Sequence, residues 1–210
     1  MLHYTSIIFD FDGVILDSIH IRTDAFIYAL REYPNSLIDQ LIAYHLHNGG
    51  LSRFHKFQYF FDHILHQPLS EQKMQQLLSD FSSYVKANII NPNFIIKDTY
   101  DFILKNYTKQ QFFIASGSEQ NELRHICQEL KIDRFFIGIF GSPIHKNQIV
   151  ANIIQNYLLL AKETALIGDS INDLEAAQQN NIDFYGYNNI ELKNAQKYGK
   201  YLENFTDIHP

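Results

Sequence analysis

Short apolar runs recur along the chain at intervals that predict the strands of a sheet. Most of these runs are continuously apolar and do not alternate with polar residues, which is typical of parallel strands covered on both faces. Helical patterns separate the runs from residue 112 onward, which indicates βαβ units. The five predicted strands are 7–9, 112–115, 135–140, 165–167 and 182–185.

A purely helical pattern occupies the segment between the first two predicted strands. Its apolar residues recur at spacings of three and four, which predicts amphipathic helices. The four predicted helices lie within 25–30, 37–42, 54–65 and 74–85. The sequence therefore predicts a doubly wound, parallel, five-stranded (Rossmann-like) α/β core formed by residues 1–17 and 94–210. Residues 18–93 are predicted to be an inserted α-helical cap domain.

The composition and charge of the chain are typical of a globular protein without nucleic-acid or membrane partners. The 210 residues are 46% hydrophobic and carry a net charge of −6, which is typical of a globular chain and argues against nucleic-acid or membrane partners. The lone cysteine, Cys127, excludes an internal disulfide and is expected to be buried. The N-terminus lacks the basic start of a signal peptide, and no apolar stretch approaches the roughly 18 residues of a membrane span. We expect a cytoplasmic monomer or homodimer.

Polar residues cluster where the predicted strands end. Asp10 and Asp12 follow the first strand, within Asp10-Phe11-Asp12-Gly13-Val14, and Asp169 and Asp173 follow the fourth, within Gly168-Asp169-Ser170-Ile171-Asn172-Asp173. Ligands of doubly wound sheets collect at these carboxyl ends. Carboxylates so placed repel one another unless a cation holds them, so we expect a shared Mg²⁺ site with one carboxylate left for chemistry.

Each polar group has a distinct chemical use. Asp10 can attack phosphorus to form an aspartyl-phosphate, and Asp12 can protonate the leaving oxygen and then deprotonate water. Lys146, after the third strand, can neutralise the transferring group. Asp169 can bind Mg²⁺, and Asp173 can orient a water on it.

The second strand is followed by a predicted phosphate-binding turn. Ser116 and Gly117 stand in Ser116-Gly117-Ser118, just before a helix predicted to start near Glu119. Free N–H groups at a helix N-terminus bind phosphate oxygens well.

These motifs, in this order, resemble those of haloacid dehalogenase-superfamily phosphatases with a helical cap, the phosphoglycolate phosphatase and β-phosphoglucomutase-like group. The resemblance implies that Mg²⁺ is held by the side chains of Asp10 and Asp169 and the backbone carbonyl of Asp12. It also implies a small phosphorylated metabolite as substrate. Two departures stand out: Lys146 is not followed by proline, and Arg22 occupies a position where sugar-phosphate mutases often carry histidine.

The predicted cap carries candidate substrate-binding residues. Gly49 and Gly50 precede Arg53 and Lys56, which share one helix face and can bind a second anionic group, either a carboxylate or another phosphate. The alternative is that this face is merely solvated, and both interpretations remain open at this stage. Four phenylalanines are interpreted as cap core, and five histidines as surface or helix-end residues. These are Phe54, Phe57, Phe60 and Phe61, and His45, His47, His55, His63 and His66.

The leading hypothesis is a Mg²⁺-dependent phosphatase acting on a small phosphomonoester, with a sugar phosphate as one candidate. A phosphomutase is the main alternative, suggested by Ser52-Arg53. Phosphonoacetaldehyde hydrolase, with Lys56 as Schiff-base lysine, is disfavoured because that class lacks the second aspartate of the first motif. A receiver-like signalling module is disfavoured because its phosphorylated aspartate lies on the third strand and it has no helical insertion.

Overall fold

A parallel sheet forms the centre of the molecule. The computed structural model describes residues 4–194 and 200–205. Within these residues the sheet has six strands in the order β3-β2-β1-β4-β5-β6, and every neighbouring pair is parallel. The strands are β1 (Ser6–Phe9), β2 (Gln111–Glu119), β3 (Gly138–Ser142), β4 (Thr164–Gly168), β5 (Asp183–Tyr187) and β6 (Lys200–Leu202).

Residues 18–93, predicted to form the cap, contain helices and no strand, as predicted. They are α1 (Ile19–Ala29), α2 (Asn35–His47), α3 (Arg53–Tyr59) and α4 (Glu71–Asn88). The end of α3 continues into a π-helical turn at Phe60–Leu65. The chain enters this helical segment near Leu16 and leaves it near Ile95. These two residues form an antiparallel bridge, so the entering and leaving stretches run side by side. The proposed division into a cap of residues 18–93 and a core stays a prediction.

The remaining helices connect and cover the strands. They are α5 (Lys97–Asn106), α6 (Gln120–Glu129), α7 (Lys146–Asn156), α8 (Ile171–Gln179) and α9 (Ile190–Asn194). None of the helices in the described part of the chain combines the length and the apolar character that crossing a membrane requires.

Both faces of the sheet are buried. Ile7 and Phe9 of β1 pack into one hydrophobic cluster, whereas Ile8 packs into the other, and all three are fully buried. Burial on alternate sides explains why the strand is continuously apolar. The predicted fold class, a doubly wound α/β sheet with an inserted helical segment, is confirmed.

The predicted number and bounds of the strands need correction. A sixth strand, β6, was not predicted because three residues are too few to show a pattern. The run 135–140 is not one strand: Phe135 ends a 3₁₀ turn (Asp133–Phe135), and β3 begins only at Gly138. Phe135 is apolar because it packs into the core from that turn, where it is buried.

Candidate active site

The turn after β1 brings the two predicted acidic motifs together. Asp10 is buried, and its Oδ1 accepts the Phe11 backbone N–H at 2.7 Å. Gly13 has a φ of +82°, and a Cβ added there would stand 2.0 Å from a carboxylate oxygen of Asp169. Glycine therefore serves both the left-handed turn and the close approach of the two loops.

Three buried carboxylates meet at the carboxyl end of the sheet. Asp10, Asp169 and Asp173 each offer an oxygen, and these oxygens lie within 4.8 Å of one another. Lys146 Nζ lies 2.9 Å from Asp10 and also pairs with Asp173. One ammonium group thus faces three carboxylates, so the cluster carries an excess of negative charge.

The charge excess is visible in the acid–base properties of the cluster. Burial, together with the charge of Asp173, raises the pKa of Asp10 to about 7. Burial and the charges of Asp10 and Asp173 raise the pKa of Asp169 well above its usual value. A divalent cation beside Asp10 and Asp169 would favour their ionised forms and so offset both the burial and the repulsion between the carboxylates. Carboxylate oxygens are the ligands that Mg²⁺ and similar hard cations prefer. The residues therefore fit a divalent metal site.

Asp173 is fixed by the start of its own helix. Its Oδ2 accepts hydrogen bonds from the backbone N–H and the hydroxyl of Ser170, at 3.0 and 2.6 Å. This capping box leaves Oδ1 for Lys146. These contacts hold Asp173 and Lys146 in place beside Asp10.

The Asp12 carboxylate is engaged outside the three-carboxylate cluster. It accepts hydrogen bonds from the hydroxyls of Ser18 and Ser118, the latter at 2.7 Å, and pairs with Arg22 Nε at 3.0 Å. Although burial alone would raise it, Arg22 and the two serines hold the pKa of Asp12 below its usual value. The predicted role of the Asp12 backbone carbonyl as a metal ligand stays a prediction.

Ser116 and Gly117 lie near the end of β2, directly before Ser118, whose hydroxyl donates to Asp12. Ser116 is buried, and its Oγ accepts the Ser118 backbone N–H at 3.0 Å. The following helix, α6, offers fewer free amides than predicted, because the Glu119 side chain accepts the N–H groups of Asn121 and Glu122. The expected phosphate site at this helix N-terminus is therefore partly filled by its own cap.

The loop between α2 and α3 (residues 48–52), here called the cap loop, contacts the core through its glycine pair Gly49-Gly50. A Cβ on Gly117 would stand 2.5 Å from the carbonyl oxygen of Gly50, and one on Gly50 would stand 2.8 Å from the Cβ of Asn172. The cap loop is therefore closed on the strand ends, and this approach requires residues without side chains.

Arg53 and Lys56 do not lie on a solvated helix face. Lys56 is only 2% exposed, and its Nζ lies 2.8 Å from His45 Nδ1 and 3.3 Å from the Gly49 carbonyl oxygen. Arg53 Nη1 donates to Glu122 Oε2 at 2.7 Å. The interpretation of this face as merely solvated is wrong, and both side chains point to the interior between cap and core.

Three buried polar residues of this region were missed or misplaced by sequence reasoning. Arg22 Nη1 pairs with Glu122 Oε1 at 2.6 Å, so Glu122 joins Arg22 to Arg53. His45, predicted at the surface or a helix end, is 5% exposed. Arg22 carried a usable signal, because it shares the apolar face of α1 with Phe26 one turn later.

The apolar residues Phe54, Phe57, Phe60, Phe61 and Cys127 differ in their burial. Phe57, Phe60 and Phe61 are buried in the cap, as predicted, but Phe54 is 53% exposed and is no part of that core. Cys127 is buried, as predicted, and burial raises the pKa of its thiol to about 12.

A cavity of about 320 Å³ lies between the helical segment and the strand ends. This volume is at the small end of the range for ligand pockets. Its lining includes Asp12 and Asp169 from the core side, and Arg22, Arg53 and Lys56 from the helices between β1 and β2. We call the side with Asp12 and Asp169 the floor of the cavity, and the side with Arg22, Arg53 and Lys56 its basic roof. The space between them has the size and the charge to hold a small anionic ligand.

Comparison with known proteins identifies the family. The model of the haloacid dehalogenase-like hydrolases matches residues 7–187, and the chain belongs to that family. A comparison with curated protein sequences gives no match.

Solved structures of the same fold cover nearly the whole chain. A β-phosphoglucomutase from Clostridium difficile has a TM-score of 0.78 at 16% identity, covering 98% of this chain and 93% of that one. A haloacid dehalogenase-like hydrolase from Streptococcus pneumoniae has a TM-score of 0.71 at 20% identity, covering 96% and 94%. A predicted phosphoglycolate phosphatase from Haemophilus somnus has a TM-score of 0.69 at 18% identity, covering 95% and 88%.

Proposed function

We propose that this haloacid dehalogenase-like hydrolase is a Mg²⁺-dependent phosphatase that hydrolyses a small phosphomonoester through an aspartyl-phosphate on Asp10. The observation that carries this proposal is the meeting of Asp10, Asp169 and Asp173 around Lys146, below a small cavity with a basic roof. The likeness to structures described as phosphatases supports it.

The metal ligands would be the side chains of Asp10 and Asp169 and the backbone carbonyl of Asp12, with Asp173 orienting a water. When bound, Mg²⁺ would withdraw negative charge from the phosphoryl oxygens and offset the charge of the carboxylates. The excess of carboxylates over ammonium groups in the cluster supports a cation of this kind.

Asp10 would act as the nucleophile. A carboxylate oxygen of Asp10 attacks phosphorus, the bond from phosphorus to the leaving oxygen breaks, and Asp12 gives that oxygen a proton. Asp12 then takes a proton from a water that attacks the aspartyl-phosphate, which releases inorganic phosphate and restores Asp10. Lys146, 2.9 Å from Asp10, holds the nucleophile and faces the charge that develops on the transferred group.

In the absence of substrate, the contacts of Asp12 favour its role as the base that accepts a proton from water. Arg22 and the two serines keep it ionised, which is the state that accepts a proton. A phosphoryl dianion placed beside Asp12 raises its pKa, because like charges disfavour the ionised form. When substrate binds, Asp12 takes up a proton from solvent, and it donates this proton to the leaving oxygen in the first step.

The substrate itself would be held by groups on both sides of the cavity. Ser116 and Gly117 would bind the transferred phosphoryl group, and Arg53 and Lys56 would face the rest of the molecule. This arrangement is supported by the burial of Lys56 beside the cavity, by the Arg53 side chain, which is only 11% exposed there, and by the contact of Gly50 with Gly117.

A phosphate-release screen tests the proposal. Sugar phosphates, phosphoglycolate, phosphoglycerate and nucleotides are offered with Mg²⁺ or with EDTA, and phosphate is measured. We expect multiple turnover of at least one ester with Mg²⁺, and loss of that turnover both in EDTA and in Asp10→Asn. Parent-like activity of folded Asp10→Asn would refute the assigned nucleophile.

A phosphomutase is the second candidate. The loop Gly50-Leu51-Ser52-Arg53 reaches the strand ends, and one solved structure of the same fold is described as a β-phosphoglucomutase. Arg22 stands where such mutases often carry histidine, which weighs against this reading. Isomerisation of an aldose phosphate with a bisphosphate activator, without net release of phosphate, would favour the mutase over the phosphatase.

A further inference from the structure

Two buried nitrogen atoms beside the cavity lack hydrogen-bond partners among the described residues. They are Arg22 Nη2 and His45 Nε2, and both residues line the cavity. Each residue is more than nine-tenths buried. A buried donor without an acceptor costs about 1–3 kcal/mol, so such groups are retained where a ligand satisfies them.

The contacts of these residues define which role each nitrogen plays. Arg22 uses Nε on Asp12 and Nη1 on Glu122, so Nη2 remains as its free donor. Lys56, as an ammonium, has only donors, so His45 Nδ1 must accept from it. Burial, aided by Lys56, lowers the pKa of His45 to about 2, so the ring is neutral and carries its one proton on Nε2. Both unpartnered nitrogens are therefore donors.

On the basic side of the cavity, the positive charges exceed the carboxylates that pair with them by one. The basic side is formed by Arg22, Arg53 and Lys56, and the carboxylates that meet them are Asp12 and Glu122. With Lys56 protonated, one positive charge on this side has no paired carboxylate. Asp169 and Glu119 also line the cavity, but neither forms an ion pair with these three side chains. A carboxylate supplies one negative charge and two acceptors, whereas a second phosphate would bring about two charges.

We propose that Arg22, His45 and Lys56 form a subsite that binds a carboxylate on the non-reacting end of the substrate. The inference rests on the proposed function, because it assumes that the phosphoryl group occupies the floor beside Asp10. It names the substrate class: a small phosphomonoester that also carries a carboxylate.

Arg53 has a different role in this subsite. Its Nη1 is held by Glu122, and its guanidinium packs over the Phe81 ring at 5.1 Å. Because Glu122 also holds Arg22 at 2.6 Å, Arg53 completes a bridge that fixes Arg22 in place. Arg53 is thus a positioning residue for the subsite, and Lys56 and His45 discriminate between ligands.

A matched pair of ligands tests the subsite by equilibrium binding. 3-Phosphoglycerate and glycerol 3-phosphate have the same carbon chain and phosphate, and they differ in a carboxylate against a hydroxymethyl group. Calorimetry is performed on Asp10→Asn with Mg²⁺, which avoids turnover. We expect 3-phosphoglycerate to bind at least about tenfold more tightly than glycerol 3-phosphate. Equal affinities, or tighter binding of glycerol 1,3-bisphosphate than of 3-phosphoglycerate, would overturn the proposal.

Variants in the same background assign the preference to residues. Lys56→Met keeps the length of the side chain and removes the charge, and His45→Phe keeps the ring against Phe26 and removes both nitrogens. We expect each to reduce the ratio of the two affinities severalfold, in protein whose circular dichroism is unchanged. Lys86→Met, an exposed lysine on α4, is the matched control and should leave the ratio unchanged.

The binding and activity measurements separate the two proposals. A preference for 3-phosphoglycerate that depends on Lys56, in a protein that releases no phosphate from any ester, would sustain the subsite and refute the phosphatase. Phosphate release with the same affinity ratio in Lys56→Met, His45→Phe and Lys86→Met would sustain the phosphatase and refute the subsite.

Discussion

Arg22 lies between two carboxylates that come from distant parts of the chain. It pairs with Asp12, ten residues earlier, and with Glu122, 100 residues later. The helical pattern of α1 could predict that Arg22 faces the interior, because Phe26 lies on the same face. The partner on α6 could not be predicted, since nothing in the local pattern around Glu122 marks a carboxylate that pairs only after folding.

Replacing Glu122 should destabilise the protein. Arg22 and Arg53 hold the pKa of Glu122 below its usual value although burial raises it, so the ionised form is the stable one. In Glu122→Gln, the guanidinium groups of Arg22 and Arg53, whose side chains are only 7% and 11% exposed, lose their shared counter-charge. We expect the free energy of unfolding in urea to fall by about 3 kcal/mol. Glu129→Gln, on the exposed face of the same helix, should change it little. Equal stability of the two variants would contradict the bridge.

The selectivity for a carboxylate should depend on pH through Lys56. Burial is the largest cause that lowers the pKa of this ammonium group to about 7. The neighbouring groups that face it are Asp12, Arg22, His45, Lys146 and Asp169. His45 stays neutral above about pH 2, so it adds no step near neutrality.

The expected pH profile follows from the sign of that shift. Lys56 is charged below its pKa and neutral above it, so the preference of kcat/KM for 3-phosphoglycerate over glycerol 3-phosphate should fall as pH rises through about 7. The ratio cancels the ionisation of the phosphate, which both esters share. Lys56→Arg, which keeps its charge, should give a flat ratio. A flat ratio in the parent protein would argue against Lys56 as the discriminating group.

At the scale of elements, the strands around the site were the most predictable part. Continuous apolar runs located β1, β2 and β4 because burial on both faces leaves no room for polar residues. The run that located β5 is interrupted by Asp183, which is only partly buried. The same logic failed for Phe135, which is apolar because it packs from a 3₁₀ turn. Burial dictates side-chain polarity, and it does not dictate backbone conformation.

The cap loop illustrates a contact that the sequence indicated only in part. Paired glycines predicted a close approach, but to a ligand. In the structure Gly50 approaches Gly117 and Asn172 of the core, so the glycines close the cap onto the strand ends. The partner depends on how the helical segment folds back over the sheet, which no local pattern contains.

Adding a methyl group at this contact should impair catalysis and leave the fold intact. The Cβ of Gly117→Ala would meet the Gly50 carbonyl oxygen at 2.5 Å, so the loop must withdraw. We expect kcat/KM to fall by more than about tenfold, a loss of roughly 1.4 kcal/mol in transition-state stabilisation. Gly49→Ala, whose nearest contact would be 3.3 Å, serves as the graded control with a smaller loss. Equal losses would show that the close approach is not what matters.

At the scale of the whole molecule, strand order accounts for the site. β1 lies between β2 and β4, so Asp10, Ser116 and Asp169 reach the same edge although the sequence separates them widely. The sequence predicted this meeting because parallel strands align their carboxyl ends. The basic roof could be predicted only as two residues on a helix, since its charge balance depends on Arg22 and Glu122 from other elements.

Metal binding should appear as a change in global stability. In EDTA, Asp169→Asn should unfold at a higher temperature than the parent, because burial and the neighbouring carboxylates disfavour the ionised Asp169. Mg²⁺ at 100 times its dissociation constant should stabilise the parent by about 2.7 kcal/mol and the variant much less. Asp39→Asn, exposed on α2, should respond to Mg²⁺ as the parent does. An undiminished Mg²⁺ effect in Asp169→Asn would place the cation elsewhere.

The proposed function requires that the carboxylate of Asp10 becomes phosphorylated during turnover. Acid quenching of the working enzyme with Mg²⁺, followed by mass spectrometry of its peptides, measures this directly. We predict that the peptide containing Asp10 gains the mass of one phosphoryl group, that fragmentation places it on Asp10, and that the gain disappears in Asp10→Asn. Steady turnover with no phosphoryl group on Asp10, or with the group on another residue, would contradict the account.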